Sequence, residues 1–247
     1  MTPPVTAVLF DLFGTLVLFD ATRLPRYDTG RGSAPSTLPL LVPVLAEVAP
    51  TIDPDAFARA VLRVTQEMAQ QRRRDAVEWP SRERFRRVLL ACGCDPASVA
   101  AAAVRLSRCH LAALATATVF PRTHAATLAA VRRRFRVGIV TNFDDTHTVY
   151  QVLQRHGVLS VGDPVVVSDA VGLRKPRPEL FDMALRELEV SPTDACFVGD
   201  TYDEDVLGAR AAGVRPVWLT DPAAAARADP TICTIATLPE LVPLLGA

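Results

Sequence analysis

Three short apolar runs, far apart in the chain, each stop at a polar residue that a buried strand would not tolerate inside it. Val8-Leu9-Phe10 ends at Asp11, and Leu12-Phe13-Gly14-Thr15 follows. Val137-Gly138-Ile139-Val140 ends at Thr141-Asn142, and Cys196-Phe197-Val198-Gly199 ends at Asp200. Strands covered on both faces read as continuous apolar runs, and in α/β folds the polar groups at their carboxyl ends build the site. The pattern therefore predicts a parallel sheet whose rim collects Asp11, Thr141, Asn142 and Asp200.

Each signal has an ordinary structural reading beside the functional one. Asp11 with Gly14-Thr15 also describes a strand end with an Asp-initiated turn. Thr141-Asn142 precedes a helical pattern at Val149, Val152 and Leu153 that stops at Gly157. A hydroxyl there either caps that helix or binds a phosphate oxygen beside helical amides. After Asp200 come Asp203, Glu204 and Asp205. Acids at a helix start complement its dipole, which accounts for Asp203 and Glu204 as non-ligating, but not for Asp200. Clustered carboxylates equally suit a hard cation such as Mg²⁺.

Lys175 is the only lysine among 27 basic residues, held in Arg174-Lys175-Pro176-Arg177-Pro178. A composition so rich in Arg would use Arg wherever charge alone mattered. A lone Lys marks a place for a compact point charge, where a planar fork does not fit.

In this order the four segments resemble the signatures of the haloacid dehalogenase-like hydrolase superfamily. The resemblance implies Asp11 as covalent nucleophile and a phosphate cradle from Gly14, Thr15, Thr141, Asn142 and Lys175, with Thr141 and Lys175 assisting catalysis. It implies Mg²⁺ held by Asp11, Asp200 and the backbone carbonyl of Phe13, with Asp205 behind them. The departure is Phe13, because most phosphatases of the superfamily carry a second Asp there. Phe leaves the main-chain contact intact but removes the proton donor for the leaving group, a contribution typically worth about a hundred- to ten-thousandfold.

Between Leu18 and about Phe120 the strand–helix rhythm disappears. A Gly/Pro/Ser/Arg-rich stretch over 23–39 reads as loop, and helical patterns follow at 38–48, 53–75, 81–92 and 95–117. Pro43 is placed to kink or split the first of these. From about 121 the rhythm returns, with strands near 136–141, 164–168, 195–199, 215–219 and 232–235. The expected architecture is a doubly wound parallel sheet, a Rossmann-like core of 1–18 and 120–247, with a helical cap domain of 19–119 over its carboxyl edge. A cap that closes the site favours a small phosphorylated molecule as substrate. Arg23, Arg26, Tyr27 and Arg31 read as a solvated loop, Arg72-Arg73-Arg74 as a charged helix face, and His110 as packed or superficial. The alanine tract 223–226 reads as a surface helix.

Composition sets the remaining bounds. Lys and Arg number 27 against 27 Asp and Glu, so nothing recommends nucleic acid or an anionic membrane as partner. Hydrophobic residues make up 49% of the chain, yet no run reaches the length of a membrane span. Five cysteines lack a framework spacing, and the N-terminus lacks a basic signal-peptide region, so a cytoplasmic protein with free thiols is expected.

Two other functions compete with a Mg²⁺-dependent phosphatase. A 2-haloacid dehalogenase would use Asp11 on carbon and release halide unprotonated, which suits Phe13 but leaves Asp200 unexplained. A non-catalytic phospho-ligand-binding protein of the same fold suits Phe13 but not the full set of Asp11, Lys175 and Asp200. A phosphonate-cleaving relative would need a cap lysine, and this cap has none.

Overall fold

The computed structural model describes residues 5–28, 32–227 and 229–246. Six strands build one parallel sheet: β1 (Ala7–Phe10), β2 (Arg136–Thr141), β3 (Val165–Val167), β4 (Ala195–Gly199), β5 (Arg215–Leu219) and β6 (Cys233–Ile235). Their spatial order is β6-β5-β4-β1-β2-β3, so the chain winds outward in both directions from β1. This is the doubly wound α/β fold the apolar runs predicted. Alternation along β1 sends Val8 and Phe10 into one layer and Ala7 and Leu9 into the other. The first layer is closed by Leu128 and Val131 of one helix (Arg122–Arg132) and by Val149, Val152 and Leu153 of another (Thr146–Arg155). The second is closed by Leu180, Phe181, Ala184, Leu185 and Leu188 of the helix Pro178–Leu188. Fully burying side chains of this size is worth about 1.5–3 kcal/mol each, which is what ties the helices to the sheet.

The insertion after β1 is helical, as expected: α1 (Leu38–Val48), α2 (Pro54–Asp75), α3 (Ser81–Ala91) and α4 (Val99–Thr116). They enclose a separate core around Leu41, Leu45, Phe57, Met68, Phe85, Val88, Leu89 and Leu106. Asp53 caps α2 by accepting from Ala56 N at 2.8 Å, with Pro54 in the first turn. Pro43 lies inside a single α1, which continues through it with only the proline's own N–H bond lost.

Two features of the insertion correct the sequence reading. The stretch taken as loop contains a short antiparallel pair, Arg26–Asp28 with Ser33–Pro35; Thr29, Gly30 and Arg31, including the arginine considered above, lie outside the described residues. The two chain crossings between insertion and sheet are tied together by Leu18–Phe19 pairing antiparallel with Thr118–Val119. Two residues per strand carry no legible period, so sequence alone could not find this ribbon.

Candidate active site

Parallel register puts the polar strand ends on one rim. Phe10 pairs with Ile139 on one side and with Val198 on the other. Thr141 and Asp200 therefore each leave the sheet within one residue of the level of Asp11. Lys175 arrives from a different direction, on the loop after the helical turn Ser168–Val171. That loop is pinned by Asn142, whose Oδ1 accepts from Lys175 N at 2.8 Å while its Nδ2 donates to Lys175 O at 3.1 Å.

The result is a buried ionic centre. Lys175 Nζ donates to Asp11 Oδ1 at 2.7 Å and to Asp205 Oδ1 at 2.6 Å, and it lies 5.0 Å from the centre of the Phe197 ring. Asp205 is held from its other side by Thr201 N at 2.9 Å. Asp200 accepts from Thr15 Oγ1 at 3.3 Å and is steadied by Trp218 Nε1, which donates to its main-chain oxygen at 2.9 Å. Thr141 is buried at the end of β2.

Two glycines make this crowding feasible. Gly14 has φ +94°, and a Cβ there would stand 2.5 Å from Asp200 Oδ2. A Cβ on Gly199 would stand 2.4 Å from Asp205 Cγ. Side chains at either position would push the carboxylates apart.

Burial raises the Asp11 carboxyl well above its ordinary value, with Asp205 and Asp200 adding to the rise and Lys175 opposing it. Asp200 is raised too, by burial first and then by Asp205. Burial alone would lower Lys175, but the Asp11 and Asp205 carboxylates outweigh it and hold the ammonium above its usual range. The centre thus has three acids for one ammonium, a surplus of negative charge in a poorly solvated place. Asp11, Asp200 and Asp205 each offer an oxygen within 4.8 Å of the others. Oxygen donors at that spacing with unbalanced charge fit a hard divalent cation. Asp205, already engaged by Lys175 and Thr201, fits a supporting place behind the ligands.

Phe13 is no proton donor and joins an aromatic group instead. Its ring stacks on Phe19 at 5.2 Å and meets Phe143 at 4.6 Å between centroids. Phe19 and Phe143 line a cavity of about 350 Å³ between the insertion and the sheet rim, together with Arg72, Arg84, His110 and Asn142. Arg23 and Arg26 do not reach it: Arg23 bonds Asp20 at 3.1 Å and Arg26 bonds Ser33 at 3.0 Å.

One group of residues escaped the sequence reading. Glu78, on the turn between α2 and α3, is fully buried against the sheet domain. Its Oε1 pairs with Arg72 at 2.9 Å, and its Oε2 takes Ser168 Oγ at 2.6 Å and Arg174. Asp144 joins Arg72 at 3.3 Å, and Arg174 reaches Glu204 at 3.3 Å, which in turn accepts from Asn142 at 2.7 Å. Backbone pairing adds to the junction through Glu78 N to Gly172 O at 3.0 Å and Arg174 N to Ala76 O at 2.9 Å. Arg72 is therefore no solvated helix face, unlike the exposed Arg73 and Arg74. The available signal was an acid inside an apolar turn, Val77-Glu78-Trp79-Pro80.

The molecule is thus an α/β protein with a doubly wound sheet, a helical insertion after its first strand and an Asp–Lys–Asp centre at the carboxyl rim of that sheet. The chain belongs to the haloacid dehalogenase-like hydrolases, whose family model matches residues 5–213. It is 38% identical over 106 residues to a phosphoserine phosphatase of Thermus thermophilus, spanning 41% of this chain and 40% of that protein. It is 32% identical over 110 residues to a glyceraldehyde 3-phosphate phosphatase of Methanothermobacter thermautotrophicus, spanning 44% of this chain and 48% of that one. These matches thus cover less than half the length of either relative. In fold it resembles a 2-haloacid dehalogenase from Pseudomonas syringae pv. Tomato, with TM-score 0.70, 22% identity and 98% of both chains aligned. A HAD phosphatase from Thermococcus onnurineus superposes with TM-score 0.64 at 23% identity over 98% of both chains.

Proposed function

We propose that this chain is a Mg²⁺-dependent phosphatase that transfers the phosphoryl group of a small metabolite to Asp11 and then to water. The observation that carries this reading is the Asp11 carboxylate held on Lys175 Nζ beside Asp200. Residues 1–18 and 120–247 would form the catalytic core and 19–119 the cap. No helix among the described residues is long and apolar enough to cross a membrane, the described cysteines are all free, and we place the reaction in the cytoplasm.

In this mechanism Asp11 attacks phosphorus, the leaving oxygen departs with the bonding electrons, and the aspartyl-phosphate is hydrolysed by water. Lys175 orients Asp11 and, with Thr141, Thr15 and the amides around Gly14, holds the phosphoryl oxygens, since phosphoryl transfer depends mostly on positioning and electrostatics. Asp11, Asp200 and the Phe13 carbonyl would hold Mg²⁺, with Asp205 behind them. When bound, the ion would supply positive charge that lets nucleophile and phosphate approach. The nearest imidazole in the cavity does not replace the missing acid. Burial, aided by Arg84, pushes His110 down to about 3, so it is neutral at ordinary pH, and its Nδ1 is engaged with Thr37 at 2.7 Å.

The relatives named as phosphatases support the phosphoryl reading. Phe13 favours a second one, a 2-haloacid dehalogenase, but an acid at Asp200 without a metal would repel the nucleophile. A panel of phosphate esters and 2-haloacids, each with Mg²⁺ and with chelator, separates them. Phosphate release that the chelator abolishes is expected. Metal-independent halide release with no phosphate release would establish the dehalogenase instead.

A further inference from the structure

The cavity between the insertion and the sheet rim has two kinds of wall. Phe19, Leu24, Leu114, Ala117 and Phe143 give an apolar lining, continuous with Phe13 through its ring contacts. Arg72, Arg84 and Arg174 bring three guanidinium groups. At about 350 Å³ it is at the small end of ligand pockets.

The three arginines are not equally paired. Arg72 and Arg174 share the buried Glu78, and Arg174 also reaches Glu204. Arg84 has only Asp144, at 3.6 Å, and Asp144 stands closer to Arg72 at 3.3 Å. The Arg84 guanidinium makes one hydrogen bond, to Ser81 Oγ at 3.0 Å, and lies 5.2 Å from the centre of the Phe85 ring; its Nε, like that of Arg72, is buried without a partner among the described residues. Its side chain is only 12% exposed. Burial pulls it below the ordinary guanidinium value, against the opposing effect of Asp144. A buried cation with five donors and so few acceptors is incomplete, because bare buried donors are destabilising. The cavity it lines reaches Asn142 and Phe143, which follow Thr141 in the chain, and Arg174, which precedes Lys175.

We propose that this cavity receives the leaving group and that Arg84 binds a carboxylate on it, so that the substrates are phosphorylated organic acids. The proposal rests on the phosphatase reading and deepens it. A planar carboxylate matches the guanidinium fork, and its single charge meets less repulsion from Asp144, which also lines the cavity, than a second phosphoryl dianion would. The apolar walls fit a planar or hydrocarbon spacer between the two anionic ends.

The test compares para-carboxyphenyl phosphate with its amide, para-carbamoylphenyl phosphate. The amide's phenol is the better leaving group, so chemistry alone favours the amide. The wild-type enzyme should nevertheless prefer the acid in kcat/KM by about ten- to a hundredfold, the range of a charge-assisted contact. Arg84→Gln should remove that preference, and Arg84→Lys should keep part of it. The acid-to-amide ratio cancels any general loss of activity. Equal turnover of both by the wild type, or a preference that survives Arg84→Gln, would overturn the assignment. If neither ester is hydrolysed, the phosphatase reading itself fails. Calorimetry with para-hydroxybenzoate and para-hydroxybenzamide then still tests the pocket: tighter binding of the acid upholds it and equal binding refutes it.

Discussion

Lys175 shows how one residue's chemistry is fixed by its surroundings. Its Nζ fills the space between Asp11 and Asp205 with both contacts under 2.8 Å, and it is 2% exposed. A guanidinium is broader than an ammonium and cannot enter there without displacing a carboxylate. Lys175→Arg should therefore lose nearly as much kcat as Lys175→Ala, measured on one aryl phosphate with saturating Mg²⁺; near-normal activity of the Arg variant would remove Lys175 from the machinery. Phe13 makes a complementary prediction. With no acid at that position and His110 neutral, rate should fall steeply as the leaving group becomes more basic, so aryl and acyl phosphates should outrun alkyl phosphates. Phe13→Asp should flatten the plot of log rate against leaving-group pKa, at some cost in stability because two ring contacts disappear. A flat wild-type plot with chemistry rate-limiting would mean that another group already donates the proton.

At the scale of elements, the junction between the helical insertion and the sheet is the part with most to lose. Glu78 neutralises arginines contributed from both sides, Arg72 of α2 and Arg174 of the Lys175 loop. Removing one partner of a buried ion cluster leaves the others uncompensated, at a cost of about 3 kcal/mol. Glu78→Ala should lower stability by that order in denaturant titrations and should also weaken activity, since Arg174 precedes Lys175. A loss under about 0.5 kcal/mol, the range of ordinary surface substitutions, would contradict it. The junction also shows where sequence stops being informative. Asp11, Lys175 and Asp200 could be read because each interrupts an apolar run or a composition bias. Glu78 offered only a weak signal, an acid in an apolar turn, and Ser168 and Asp144 offered none, because these residues acquire their partners only through contacts distant in the chain. Arg72 misled for the same reason: three consecutive arginines at a helix end suggest solvent, and only the tertiary contact separates the first from the others.

Taken whole, the molecule has two cores, one around the parallel sheet and one inside the helical insertion. Register in a six-stranded parallel sheet fixes Thr141 and Asp200 within one residue of the level of Asp11, and this much follows from strand pattern. The helical insertion has its own core and meets the rim through the ribbon at Leu18–Phe19 and through the Glu78 junction. Its helices were legible from period and caps; what its inward surface recognises was not, because that surface is assembled from the loop after β1, three helices and two rim loops. In the proposed mechanism Asp11 becomes phosphorylated during turnover. Acid-quenching the enzyme while it hydrolyses an aryl phosphate with Mg²⁺, then mapping peptides by mass spectrometry, tests that directly. The wild-type peptide containing Asp11 should gain the mass of one phosphoryl group, and the gain should disappear with chelator and in Asp11→Asn. An Asp11 peptide that stays unmodified while a phosphoryl group is trapped elsewhere on the enzyme, or full activity in folded Asp11→Asn, would contradict this mechanism.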